Sequence, residues 1–290
     1  MYRVVSCHLM GGLGNQLFQL FTTIAYSIQT KRNVVFPYSD VLTTGRTRNT
    51  YWESFLKGLI SCTTINVNIG HTNESIYHFK RYNEIGFKYN KIPGFEDKEL
   101  LLNGYFQSSV YFDNERHRIF DMIQLSQQKQ MAIRQYPIVC EQSTHYISMH
   151  FRLGDYKNLP DCHPIMPIEY YKSAMFHISK LVKSADRQTV LYFCEQEDNE
   201  IVSNMIKILE GKFSTVKFIK VDDTIPDWIQ MLIMSCCHDN IIANSSFSWW
   251  GGYFNENPDK MVCYPGKWFG TKITHDTSDL FPSSWKKIVW

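Results

Sequence analysis

Apolar and polar positions change period repeatedly along this chain. Residues 4–9, Val4-Val5-Ser6-Cys7-His8-Leu9, read as a buried strand. A helix follows, with Leu17, Leu20, Phe21, Ile24 and Ile28 at the 3.6-residue spacing of one helix face. Val34-Val35-Phe36 reads as a second strand, stopped by Pro37. The chain therefore opens β-α-β. From about residue 40 to 100 the period fades, and the polar run from Thr43 to Thr50 suggests a loop. Residues 101–108 read as a strand leaving into a turn, and 111–130 as a helix.

The second half alternates regularly. Strands are expected at 146–151, 190–194, 216–221, 240–243 and 262–264. Helices are expected at 167–182, 198–209, 226–236 and 247–254, the first opened by Pro167, a residue favoured at helix starts. Such alternation predicts an α/β protein with a parallel sheet covered on both faces. A length of 290 residues suits two domains. The reading is two Rossmann-like domains facing a cleft, 1–143 and 144–290, each with a loop at the carboxyl end of its first strand.

Composition narrows the partners. A net charge of +2 lacks the basic excess of a nucleic-acid binder. No stretch approaches the roughly 20 apolar residues of a membrane span. Met1-Tyr2-Arg3 runs directly into the first strand, so neither a leader nor an anchor is expected. The cysteines, Cys7, Cys62, Cys140, Cys162, Cys194, Cys236, Cys237 and Cys263, form no zinc-type pattern. They read as reduced thiols in a cytoplasmic protein, with disulfides as the alternative. Asn73-Glu74-Ser75 and Asn244-Ser245-Ser246 are glycosylation acceptor patterns. Oligomeric state is not legible.

Three stretches carry candidate chemistry. In His150-Phe151-Arg152-Leu153-Gly154-Asp155-Tyr156, an imidazole, a guanidinium and a carboxylate sit at a strand's carboxyl end, where open α/β sheets bind ligands. Arg152 has the planar fork that suits phosphate oxygens, and a salt-bridged turn is the alternative. His150, on the same strand face, is placed to contact a ligand or relay a proton. Asp155 is placed to orient Arg152 or to act as a base, orientation being favoured.

Gly11-Gly12-Leu13-Gly14-Asn15-Gln16 opens a helix, a place for an anion. Leu17 stands where the dinucleotide fingerprint needs a third glycine, and no Lys-Ser/Thr follows as in a nucleotide-phosphate loop. Asn15 and Gln16 either cap the helix or reach a ligand. Asn244-Ser245-Ser246-Phe247-Ser248-Trp249-Trp250-Gly251-Gly252 leaves a strand and opens another helix, whose hydroxyls cap it or hold an anion. Its two tryptophans most simply pack between helix and sheet. Asp222-Asp223 suggests a metal pair or, more simply, capping carboxylates.

These three stretches resemble the signature blocks of glycosyltransferase family 11, the α-1,2-fucosyltransferases using GDP-fucose. Smaller blocks agree: Gly104-Tyr105-Phe106-Gln107, Tyr170-Tyr171, Lys267-Trp268-Phe269 and Asp279-Leu280-Phe281-Pro282. Two positions depart: Leu153 stands where the family often has a second Arg, and Cys194-Glu195-Gln196 where Ser-Asp-Asp is common.

The resemblance implies a GT-B-like fold, with residues 1–143 on the acceptor side and 144–290 on the GDP-fucose side. It implies a galactoside α-1,2-fucosyltransferase-like enzyme moving L-fucose from GDP-β-L-fucose to the 2-OH of a galactose-type glycan acceptor. Transfer would invert the anomeric carbon and need no metal and no cofactor beyond the nucleotide-sugar donor. Arg152, His150 and Asp155 would be catalytic. Gly12, Gly14, Asn15, Gln16, Ser245, Ser246, Phe247 and Ser248 would bind the donor. The rival readings are transfer of another GDP-linked deoxysugar, a dinucleotide-dependent oxidoreductase suggested by the β-α-β start, and an inactive carbohydrate-binding protein.

Overall fold

A computed structural model describes residues 3–66, 68, 70–139, 141, 143–180 and 187–290. It divides into two compact units, Met1–Gln128 with His275–Pro282, and Lys129–Thr274 with Ser283–Trp290. These are not the contiguous stretches 1–143 and 144–290, because a late segment belongs to the first unit.

In the first unit, β1 (Val4–Cys7) is buried along its whole length and is followed by α1 (Leu13–Thr30). The apolar stripe of α1 predicts one buried face. The helix is instead buried nearly all round from Leu13 to Ser27, its polar Gln19 and Thr23 being satisfied by nearby backbone. β2 (Asn33–Val34) pairs with β1. The weakly patterned stretch holds a short antiparallel hairpin of β3 (Val41–Leu42) and β4 (Arg48–Asn49), then α2 (Asn73–Ile76) and β5 (Lys80–Asn83). β6 (Glu99–Asn103) completes a parallel sheet of order β2-β1-β6-β5. The helix expected over 111–130 is broken into α3 (Arg116–Met122) and α4 (Leu125–Gln135), because Gln124 takes a left-handed φ of 54° and ends the first piece.

His275–Pro282 returns to this unit as a strap. The Asp279 carboxylate accepts the Tyr89 N–H at 2.7 Å, and its carbonyl accepts the Ser108 hydroxyl at 2.8 Å. The His275 and Phe87 rings stack at 4.7 Å.

The second unit runs β7 (Thr144–His150), α5 (Ile168–Ser179), β8 (Arg187–Phe193), α6 (Asn199–Lys212), β9 (Val216–Lys220), α7 (Asp227–Ser235), β10 (Asp239–Ile241), α8 (Ser246–Tyr253), β11 (Val262–Pro265) and β12 (Lys286–Ile288). The last two positions of the helix expected over 167–182, and Cys140, lie outside the described residues. All six strands are parallel, in the order β12-β11-β10-β7-β8-β9. Ile147, Met149, Val190 and Ile241 from the sheet join Tyr170, Tyr171, Met175 and Val202 from α5 and α6 in one buried core.

The strand order matters for function. Sheet growth starts at β7, goes one way through β8 and β9, then reverses to β10. The carboxyl ends of β7 and β10 flank this reversal, the position where open α/β sheets bind ligands. In the first sheet, β1 and β6 flank the corresponding reversal. Among the described residues no helix is long and apolar enough to cross a membrane.

Candidate active site

At the carboxyl end of β7, Arg152 is mostly buried, its side chain 18% exposed. Nη2 donates to the Asp155 carboxylate and Nη1 to that of Glu195, and the guanidinium lies 5.1 Å from the Tyr156 ring centroid. Burial works against its charge, but Glu195 and Asp155 outweigh it and push its pKa up, so Arg152 stays cationic. The turn that carries these groups is pinned from below. Buried Asp198 accepts the Gly154 N–H at 2.8 Å and binds the Lys157 ammonium. Gly154 has a φ of +33°, and a Cβ there would stand 2.5 Å from Glu195 Oε2, so a side chain would evict that carboxylate. Leu153, where the family often has Arg, is instead packed in the core.

His150 is buried, and its Nδ1 has no hydrogen-bond partner. Its ring lies 5.6 Å from that of Phe247. Burial above all, then Arg152 and Lys220, pushes its pKa down to about 3, so it is a neutral imidazole at physiological pH. Asn244, just beyond β10, donates its side-chain N–H groups to the Pro164 and Trp268 carbonyls at 2.9 and 3.1 Å, and its backbone carbonyl accepts the Tyr156 hydroxyl at 3.0 Å. Its buried amide nitrogen is thereby committed, which leaves no room for a glycan in the folded protein.

Ser245 caps α8, its hydroxyl accepting the Phe247 N–H at 3.3 Å. Ser246 and Phe247 are half-buried in the first turn, whereas Ser248 is buried with its hydroxyl bonded to the Ser245 carbonyl. The fold thus brings His150, Arg152 and Asp155 together with the 245–248 helix start, where N–H groups and the helix dipole favour an anion. Trp249 and Trp250 pack in the core, as the simpler reading of the sequence has it.

Gly12, Gly14, Asn15 and Gln16 belong to the first unit. Only Gly12 precedes the helix; Gly14, Asn15 and Gln16 lie within the first turn of α1, since the extended Gly12 is its N-cap and its carbonyl already accepts from Asn15 and Gln16. Gln16 is fully buried and donates to the Gly11 and Asn49 carbonyls at 3.0 and 2.9 Å, so it ties loops together. Asn15 accepts the Gln107 amide at 2.8 Å, joining the start of α1 to the loop after β6. Gly11 is left-handed, and a Cβ there would collide with Asn15, whereas a Cβ at Gly12 would meet no protein atom.

Asp222 accepts the Thr224 N–H and hydroxyl at 2.8 Å, while Asp223 binds Asn199 at 2.7 Å and the Lys220 ammonium. The two carboxylates thus serve different partners. Among the described residues no cluster of three or more metal-ligating side chains forms. The sequence pointed to Glu195 only as a departure, and gave no role to Tyr156, Lys157 or Asp198. Those contacts join residues as far as 88 positions apart, beyond any local pattern.

The family model for glycosyl transferase family 11 matches residues 5–288. The chain is 29% identical to the O-antigen biosynthesis glycosyltransferase WbnK of Escherichia coli, over 94% of this chain and 98% of that protein. It is 24% identical to an alpha-1,2-colitosyltransferase of Escherichia coli, over 98% of this chain and 99% of that protein. Among solved structures, a glycosyl transferase family 9 protein from Veillonella parvula aligns with a TM-score of 0.52 at 12% identity, covering 100% of this chain and 86% of that one. A mutant of Arabidopsis thaliana FUT1 in complex with GDP aligns with a TM-score of 0.50 at 12% identity, covering 91% and 70%. At that identity the likeness speaks for the fold alone.

Proposed function

We propose that this chain, which belongs to glycosyl transferase family 11, is an inverting fucosyltransferase that needs no metal. It moves L-fucose from GDP-β-L-fucose to the 2-OH of a galactose-type glycan. Family membership removes the oxidoreductase reading.

The observation that carries the proposal is the placement of Arg152. It is a buried, permanently charged fork at the reversal of the second sheet, with the start of α8 beside it. Breaking a glycosyl–diphosphate bond develops negative charge on the leaving β-phosphate. A fixed cation whose hold tightens as that charge grows lowers the barrier, and removal of such a donor typically costs on the order of 10²–10³ in rate. Arg152 would do the work of a divalent cation. Asp155 would hold the guanidinium in its orientation, and neutral His150 would offer its unpartnered Nδ1 to the donor without adding charge. Gly12 and Asn15, at the reversal of the first sheet, would help to bind the donor, as the family resemblance implies.

The relative named for colitosyl transfer, together with Cys194-Glu195-Gln196 where Ser-Asp-Asp is common, favours a second reading in which the GDP-linked sugar is another deoxysugar. A donor screen with excess EDTA tests both. GDP-fucose, GDP-mannose, GDP-rhamnose and UDP-sugars are each offered with galactose-terminated acceptors, and the product linkage is analysed. Turnover of GDP-fucose to an α-1,2 product in EDTA is expected. Transfer of a different sugar would move the assignment to the second reading. Activity lost to chelation and restored by Mg²⁺ or Mn²⁺ would overturn the metal-free mechanism.

A further inference from the structure

The proposed diphosphate seat is already taken. Both Nη groups of Arg152 are engaged by carboxylates, Asp155 on one side and Glu195 on the other. One guanidinium between two carboxylates leaves the cluster net negative where an anionic diphosphate has to bind. Neighbouring cations do not redress this: Lys157 is tied to Asp198 and Lys220 to Asp223. One carboxylate must therefore leave before the donor settles.

The two are not equivalent. Asp155 sits three residues from Arg152 on the same pinned turn, with 29% of its side chain exposed. Glu195 reaches in from beyond β8 and is 44% exposed. Its own backbone is fixed, since its carbonyl accepts the Asp198 N–H at 2.9 Å and Asp198 anchors Gly154. Exchange at Arg152 thus requires only a swing of the Glu195 side chain, out of the space that Gly154 leaves empty.

We propose that Glu195 is a built-in anion that holds the diphosphate seat on Arg152 in the free enzyme, yields it to the donor and reclaims it from the product. The inference rests on the donor reading given above. It makes Glu195 a positioning residue that sets donor and product affinity. Glycosyl transfer leaves a nucleoside diphosphate carrying one more ionisable oxygen than the donor, and this product grips Arg152 more firmly. The returning carboxylate opposes that grip and hastens release.

Calorimetric titration of the full chain with GDP, UDP and inorganic pyrophosphate tests it. Glu195→Gln keeps the shape and removes the competing charge. Removing the competing charge should let GDP bind roughly tenfold more tightly, a change of about 1.4 kcal/mol. Glu195→Ala should also bind more tightly, whereas Asp155→Asn should bind more weakly. A residue that merely braces Arg152 would show the opposite, a loss of affinity in both Glu195 variants. Unchanged or weaker binding of all three anions by both variants overturns the inference, even if GDP-fucose is turned over. Tightening seen with pyrophosphate and UDP but not with GDP upholds Glu195 and overturns the choice of nucleotide instead.

Discussion

Arg152 is held in a salt bridge and is proposed as a catalyst, and single substitutions separate these roles. Arg152→Ala strips the shared partner from two carboxylates, so it should lower the melting temperature whichever role is right. Arg152→Lys is the decisive variant, because it keeps a charge but loses the fork. If the fork stabilises the leaving diphosphate, Lys should lower kcat by roughly 10²-fold or more while donor affinity changes far less. Near-wild-type kcat would reduce Arg152 to a turn-forming ion pair. His150 makes a separate prediction about acid stability. Its pKa falls from the ordinary 6.5 to about 3 in the folded protein, through burial first and then Arg152 and Lys220. Between those values the unfolded chain binds a proton that the folded one refuses. Stability therefore drops as pH falls through this window and recovers fully above it. His150→Gln should flatten the melting-temperature profile between about pH 6.5 and 4. An unchanged slope would place the acid sensitivity on other groups.

Among the elements, α8 shows why the sequence pairs two tryptophans with two glycines. Trp249 and Trp250 fill the core, and the glycines let the helix back approach its neighbours. A Cβ at Gly251 would lie 2.9 Å from Met234 Cβ, and one at Gly252 would lie 2.9 Å from Val262 Cγ1 and 3.3 Å from the Trp285 ring. Gly252→Val should therefore cost about 2 kcal/mol or more by overpacking, beyond any gain from replacing a helical glycine. Gly94→Ala, where a Cβ would meet nothing, is the matched control. Equal denaturant midpoints for the two variants would contradict this account. The elements legible in the sequence were those with dense apolar runs, such as β1, β7, β8 and β10. Among the ones missed were β5 (Lys80-Arg81-Tyr82-Asn83) and β12 (Lys286-Lys287-Ile288), both edge strands. An edge strand needs few apolar side chains, and exposed lysines there discourage pairing with other chains. The break at Gln124 escaped notice because left-handed backbone at a non-glycine residue has no compositional signature.

At the scale of the molecule, the order of the blocks along the chain identified the family and both parallel sheets. The candidate site was legible only in part. His150, Arg152 and the 245–248 helix start could be read because each sits where a strand ends. The charge around Arg152 could not, because Glu195 lies 43 residues away and its contact depends on sheet order. The division into units was hidden for a similar reason. Nothing in the polar run 275–282 announces that it docks on residues near 87 and 108.

That docking has a consequence for how the chain is made. A protein synthesised from its amino terminus usually folds its first domain first. Here the first unit has to wait, because one of its pieces emerges only after every strand of the second sheet except β12. Until then the backbone around Tyr89 and the hydroxyl of Ser108 lack the partner that Asp279 brings. The ribosome must therefore deliver nearly the whole chain before its earliest-made half is complete.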